Sequence, residues 1–192
     1  MNRRQFLTTA TIPIGLTTAG CSFGPSEPIE LDVDTEYQDD GRQNETYLIY
    51  KHSGEERRVV GFDQHSFPET LTDQFGFGVV IEYDAATTVE SVRFDLRAPP
   101  TGTPADIYLA SPSGSAWSDL TYGRGSADGV TRIALPDATA VTDETVFIDM
   151  RIDPQGAPVD QIAIDLELEL SAVDASEKYH ASTTTTFEPE TQ

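Results

Sequence analysis

Residues 29–187 predict an all-β fold, a two-sheet antiparallel β-sandwich, and three observations lead there. The first is a period of two. Ile162, Ile164, Leu166, Leu168 and Leu170 alternate with Ala163, Asp165, Glu167 and Glu169, which makes one face of that strand aliphatic and the other polar. The second is punctuation, because short runs rich in β-branched and aromatic residues are separated by clusters of Gly, Pro, Asp and Ser. The third is that no stretch sustains an apolar period of about 3.6 residues over several turns, so nothing reads as an amphipathic helix.

Taken in order, Ile29, Leu31 and Val33 alternate with Glu30, Asp32 and Asp34, an aliphatic face backed by carboxylates, as far as the turn Asp39-Asp40-Gly41. Thr46–Lys51 and Arg57–Phe62 flank Ser53-Gly54-Glu55-Glu56 and read as a hairpin. Asp63–Gln74 is looser, carries Pro68, and is read as a segment with a turn of helix. Phe77–Tyr83 and Thr88–Leu96 are strands, the second with Val92, Phe94 and Leu96 inward and Arg93, Asp95 and Arg97 outward, stopped by Pro99-Pro100. Ile107–Ala110 is a short strand, and Ser115–Gly129 reads as a long polar loop that carries Trp117 and Tyr122. Val130–Leu135, Val146–Ile152 and Gln161–Ala172 are further strands, and the threonine-rich Tyr179–Phe187 is the last. Glu188–Gln192 is left as a frayed tail. Length fits one domain, residues 29–187, able to bury about 70% of its unfolded surface.

Both immunoglobulin-like and jelly-roll sandwiches satisfy this pattern. Residues Ile107-Tyr108-Leu109-Ala110-Ser111-Pro112-Ser113-Gly114 resemble the strand-turn of proprotein-convertase P-domains and related jelly-roll modules, in which a strand ends in S-P-S-G. The D-L pair that opens that strand in the family is missing, since Asp106 is followed by Ile107. The resemblance implies a jelly roll, while the turn itself is ordinary hairpin chemistry.

Ahead of the domain stands an address. Arg3 and Arg4 form a positive start, Phe6–Leu16 is uncharged and moderately apolar, and Thr18-Ala19-Gly20 precede Cys21, the order of a secretion signal. The apolar run is too short for the ~20 residues that span a bilayer. Arg3-Arg4-Gln5-Phe6-Leu7 resembles the twin-arginine export signal, and Thr18-Ala19-Gly20-Cys21 resembles a lipobox. Residues 1–20 are then expected to be a twin-arginine lipoprotein signal peptide and 21–28 a lipidated tether. The resemblance implies export in the folded state and a diacylglyceryl-type lipid on the Cys21 sulfur, two chains being what a stable anchor requires. A thiol suits that transfer as the best nucleophile among side chains. Cys21 is the single cysteine, so no intrachain disulfide forms.

The whole chain has 33 acidic residues against 12 basic ones; without Arg3 and Arg4 the balance is 33 against 10, a net charge of −23. Small domains ordinarily carry about 2 to 8 charges of net excess. Self-repulsion on this scale loosens a compact state unless salt screens it. Leader and composition together resemble a haloarchaeal twin-arginine lipoprotein, a resemblance that implies an address and a saline environment and no particular activity. The charge excludes nucleic acid and anionic headgroups as partners.

Chemistry-bearing motifs are sparse. Asn44-Glu45-Thr46 is a glycosylation sequon, with Asn44 as a turn residue the alternative. His52, His65 and His180 fall in separate elements without the ligand spacing of a zinc site, and Asp32-x-Asp34-x-Glu36 lacks the glycine of a calcium loop, so neither metal nor cofactor is called for. There is no G-x-S-x-G, and Gly123-Arg124-Gly125-Ser126 is read as a turning loop. Trp117 and Tyr122 are the candidate contact residues, with a Trp117 that caps the sandwich as the alternative. The sequence therefore points to a non-enzymatic, lipid-anchored cell-surface sandwich that offers Ser111–Gly129 to an envelope protein or glycan. The competing readings are an extracytoplasmic, glycosidase-like hydrolase with two carboxylates about 5 to 9.5 Å apart, and a solute-binding receptor, which a single lobe disfavours.

Two expectations are open to direct test. Cys21→Ser should move the protein from the membrane to the soluble fraction, and replacing Arg3 and Arg4 by lysines should hold it inside the cell, both read by fractionation and immunoblotting. Lowering salt from about 1 M to about 0.1 M lengthens the screening distance from ~3 to ~10 Å. The denaturation midpoint should fall over that range, and a midpoint indifferent to salt would contradict the saline environment.

Overall fold

The computed structural model describes residues 27–39, 44–110, 120–138, 145–174 and 176–192. The strands are β1 (Ile29–Glu30), β2 (Asp32–Asp39), β3 (Asn44–His52), β4 (Glu55–Ser66), β5 (Phe75–Ile81) and β6 (Thr87–Arg97), then β7 (Asp106–Leu109), β8 (Thr121–Arg124), β9 (Thr131–Leu135), β10 (Val146–Asp153), β11 (Ile162–Ala172) and β12 (Lys178–Phe187). They form two six-stranded sheets, ordered β1-β12-β11-β6-β9-β8 and β2-β3-β4-β5-β10-β7. Every pairing among them is antiparallel except β1 with β12. The fold is the all-β two-sheet sandwich that the alternation predicts.

The space between the sheets is filled by the inward half of each strand. Ile162, Ile164, Leu166, Leu168 and Leu170 are all buried, and so are Val92, Phe94 and Leu96. From the second sheet come Leu48, Val60, Phe62, Phe77, Val79 and Ile148. Phe62 stacks on Phe77 at 6.3 Å and meets Phe94 of the first sheet edge-on at 6.4 Å, while Phe187 meets Phe77 at 5.1 Å. Each such side chain contributes roughly 1.5–3 kcal/mol by leaving water.

The outward half of the first sheet carries a cross-strand ladder. Arg132 grips Asp95 with two bonds of 2.7 and 2.5 Å, Arg93 pairs with Glu167, and Thr184 donates to Asp165 at 2.7 Å. Exposed pairs of this kind are worth up to about 1 kcal/mol each. Their effect is to match acids to cations on this face.

The structure departs from the sequence expectations in five places, four of them in the strands and turns and the fifth in the C-terminal tail. The segment from Ile29 does not form one strand with an aliphatic face. It leaves the first sheet at Leu31 and joins the second, so that Val33 is 39% exposed on the edge strand β2. The hairpin turn is the two residues Ser53-Gly54, with φ of 53° and 81°, and Glu55-Glu56 already belong to β4. No helical turn occupies 63–74, since β4 continues to Ser66 and turns follow. Thr121–Arg124, expected within a loop, pairs with β9 as β8.

The C-terminal residues are not frayed. The buried Gln64 side chain accepts from the Glu190 N–H at 2.7 Å and donates to the Glu190 carbonyl at 2.9 Å. Gln192 donates from its backbone to Pro68 and from its side chain to Phe67. Pro189 is buried beneath. Composition suggested a loose tail because the partners lie more than a hundred residues away.

Gln64→Ala leaves the Glu190 amide unmatched and should cost about 1–3 kcal/mol in a denaturation experiment, with faster carboxypeptidase trimming of 188–192. Leu166→Ala, in the packed interlayer, should cost about 2–5 kcal/mol without a specific effect on trimming.

Candidate binding site

On the outer face of the second sheet, hydrogen-bonding register sets two rows side by side. One row runs Tyr47, Gly61, Val80, Phe147 across β3, β4, β5 and β10, and the next runs Glu45, Asp63, Gly78, Asp149. A glycine stands in the middle of each row, beside Val80 in the first and Asp63 in the second, with large or charged residues at the ends. The result is a hollow of about 450 Å³, rimmed also by Glu82, Tyr83 and Thr145.

The glycines are there for room. Gly61 and Gly78 both face outward in strand conformation, where any residue fits the backbone. A Cβ on Gly61 would stand 3.1 Å from Tyr47 Cε1, and one on Gly78 would overlap the Asp63 carboxylate. Gly76, next along β5, is covered in the same way by the His65 ring. Side chains from β3 and β4 therefore lean over glycines of β4 and β5, and on this face β5 carries a side chain of its own only at Val80. The β4–β5 register shifts between Asp63 and Ser66, a bulge-like irregularity that re-aims this end of β4.

The walls are aromatic and acidic. Phe147 is 50% exposed and Tyr83 47%, a clustering of large apolar surface that folding does not require. Tyr47 donates its hydroxyl to Glu45, and burial, reinforced by that carboxylate, pushes its phenol up to about 12. Burial also raises the Asp63 carboxyl above its ordinary range, helped by the charges of Glu45 and Asp149 and opposed by His65, whose Nδ1 lies 3.9 Å from Asp63 Oδ2. The sign follows directly. A carboxyl raised in the fold favours the folded state when protonated, and that contribution is lost as pH rises through its folded value. At neutral pH the ionised Asp63 is thus a charge with a desolvation cost and, among the described residues, no lysine or arginine paired with it.

The rim is held by Arg58, which is 4% exposed and donates to the Glu82 carbonyl at 2.6 Å, to the Thr87 carbonyl at 2.5 Å and to Thr87 Oγ1 at 2.9 Å. It fastens the connection that presents Glu82 and Tyr83 to the end of β4.

The residues singled out by sequence lie elsewhere. Tyr122 is on β8 and not in a loop. Its hydroxyl donates to the Ile107 carbonyl on β7, which ties the edges of the two sheets, and it lines a second hollow of about 530 Å³ between residues 104–108 and 122–131. Trp117, the Ser-Pro-Ser-Gly turn, Arg3, Arg4, Phe6, Leu7 and Cys21 lie outside the described residues. Asn44 opens β3, where its amide nitrogen donates to the Glu188 carbonyl at 2.7 Å, and Thr46 is buried. A glycan on that nitrogen would displace the tail. His52 sits against Tyr179 and His180 is bonded to Glu30, both away from His65. Among the described residues no group of three or more His, Cys, Asp or Glu is placed to hold a metal ion.

Sequence reasoning missed the hollow. Its signal was Phe75-Gly76-Phe77-Gly78, a strand with a packed face and a bare one.

Several solved structures share features of the sandwich. The seventh ScaB type I cohesin from Pseudobacteroides cellulosolvens aligns with 10% identity and a TM-score of 0.36, covering 67% of this chain and 90% of its own. The full-length major pilin SpaD from Corynebacterium diphtheriae aligns with 5% identity and a TM-score of 0.41, over 75% of this chain and 47% of the pilin. AggA, the major subunit of aggregative adherence fimbriae type I from Escherichia coli, aligns with 10% identity and a TM-score of 0.35, over 71% and 95%. No curated protein matches the sequence. Residues 30–191, from β1 through the pinned tail, match one family throughout, and the chain belongs to that family, the domain of unknown function DUF8121.

Proposed function

We propose that this protein is a lipid-anchored, cell-surface binding protein of the envelope, and that it binds through the outer face of its second sheet. The observation that carries the reading is the hollow itself, in which Gly61 and Gly78 let the Tyr47 and Asp63 side chains lie down against the sheet, with Phe147 as a further wall. Glycine inside a strand weakens it, by loss of packing and by greater freedom in the unfolded chain. Two of them under leaning side chains in mid-sheet suit a face shaped for a ligand. Concave sites of a few hundred Å³ with aromatic walls and few polar groups are the usual form of small-ligand sites. The anchor and the extracytoplasmic address come from Cys21 and the twin-arginine leader, and the partner class from the expectation of an envelope protein or glycan.

The test is a titration of the isotopically labelled full chain in detergent with envelope protein and envelope glycan fractions, read by amide chemical shifts. Shifts confined to β3, β4, β5 and β10 around Gly61 and Gly78 are expected. Shifts centred on Tyr122 would move the site to the second hollow, and silence toward every fraction would remove the binding role.

A further inference from the structure

Resting on the binding role proposed above, we infer that the hollow between Tyr47, Asp63 and Phe147 receives an alkylammonium headgroup. Acids alone would say little in a chain of net charge −21. What separates this place from the outer face of the first sheet is how its acids are matched. On the outer face of the first sheet Asp95 and Glu167 are paired with arginines, and Asp165 and Glu169 accept from Thr184 and Ser91. Around the hollow, Glu45, Asp63, Glu82 and Asp149 have no lysine or arginine within ion-pair distance among the described residues. Glu45 accepts from the Tyr47 hydroxyl, the His65 ring lies 3.9 Å from the Asp63 carboxylate, and Arg151, opposite Gly76, is one row beyond.

The aromatic walls point to the same ligand. The face of a tyrosine or phenylalanine ring carries negative quadrupolar charge, so ring faces and carboxylates attract a cation together and repel an anion together. Asp63 sits over Gly78 with its carboxylate partly withdrawn from water, where an arriving positive charge gains most. A bare metal ion lacks the convergent oxygen cage it requires here. An alkylammonium needs only one or two carboxylates and an apolar surface for its methylenes or methyls, which Phe147 and Val80 supply. A neutral sugar could use the same carboxylates as acceptors, yet it would leave them uncompensated. The volume, about 450 Å³, leaves room beyond the headgroup for the rest of a small molecule or a side chain. In concentrated salt the long-range attraction is screened, but contact with a ring face and a half-buried carboxylate acts within the ~3 Å screening length of 1 M salt.

The experiment is calorimetric titration of the full chain in detergent with tetramethylammonium chloride, at constant chloride and against a sodium chloride blank, with maltose as a parallel probe. Saturable binding of tetramethylammonium is expected, weakened roughly tenfold by Phe147→Ala or by Asp63→Asn and unchanged by Tyr122→Ala at the other hollow. Phe147 is half exposed, so its alanine variant keeps the core intact, and circular dichroism of each variant checks the fold. Absence of uptake above the blank, or uptake that Phe147→Ala and Asp63→Asn leave unaltered, overturns the inference. Maltose binding with the same variant sensitivity and no response to the cation overturns the ammonium chemistry while the binding role stands. Silence toward both probes, together with silent envelope fractions, removes both.

Discussion

Everything in this fold depends on the interlocking of two apolar sheet faces, centred where Phe62 and Phe77 of one sheet meet Phe94 and Phe187 of the other. Because side chains alternate across a strand, the interlayer claims every second residue and leaves the others unconstrained by packing. The acidic coat occupies that freed half. So does the hollow. β5 can present Gly76 and Gly78 outward because Phe75, Phe77, Val79 and Ile81 on its inner face hold the strand in place. Binding surface and core are thus two sides of one strand, and the stability of the first is borrowed from the second.

The distribution of positive charge follows the same division. With only 12 basic residues in the sequence, most arginines with assigned contacts do structural work. Arg58 is buried and anchored on carbonyls, Arg132 and Arg93 brace the first sheet, and Arg57 lies 5.8 Å from the Tyr179 ring. Burial lowers the Arg58 pKa from its usual height, but a guanidinium keeps its proton throughout the range in which proteins fold. Its carbonyl partners make it a clamp that does not consume a carboxylate. At the hollow, Glu45, Asp63, Glu82 and Asp149 have no lysine or arginine partner among the described residues.

Strand existence was legible wherever the alternation was strong, as in β6 and β11, because a buried face imposes its period on the sequence directly. What lay beyond reach was set by pairing. The switch at Leu31 leaves no mark in an alternating segment, since both sheets accept the same pattern. β8, only Thr121–Arg124, is fully exposed and carries no hydrophobic period to detect. The hollow was hidden for a related reason: Tyr47, Gly61, Asp63, Gly78 and Phe147 come from four strands and meet only through register. Gln64, read within a looser segment, and Asn44, read as a sequon or turn residue, hold the far end of the chain. The hollow has no local signature beyond the alternating glycines of Phe75-Gly76-Phe77-Gly78.

The direction of β2 sets the outlook of the whole body. The chain enters beside Tyr179 and His180 and climbs the edge of the second sheet from Asp32, opposite Lys51, to Glu36 and Gln38, opposite Tyr47 and Glu45. At ~3.4 Å per residue, that lifts the concave patch about 13 to 20 Å above the point of entry. The hollow therefore sits at the opposite end of β3 from His52 and Tyr179, so that Ile29 and Glu30, entering beside Tyr179, leave it uncrowded.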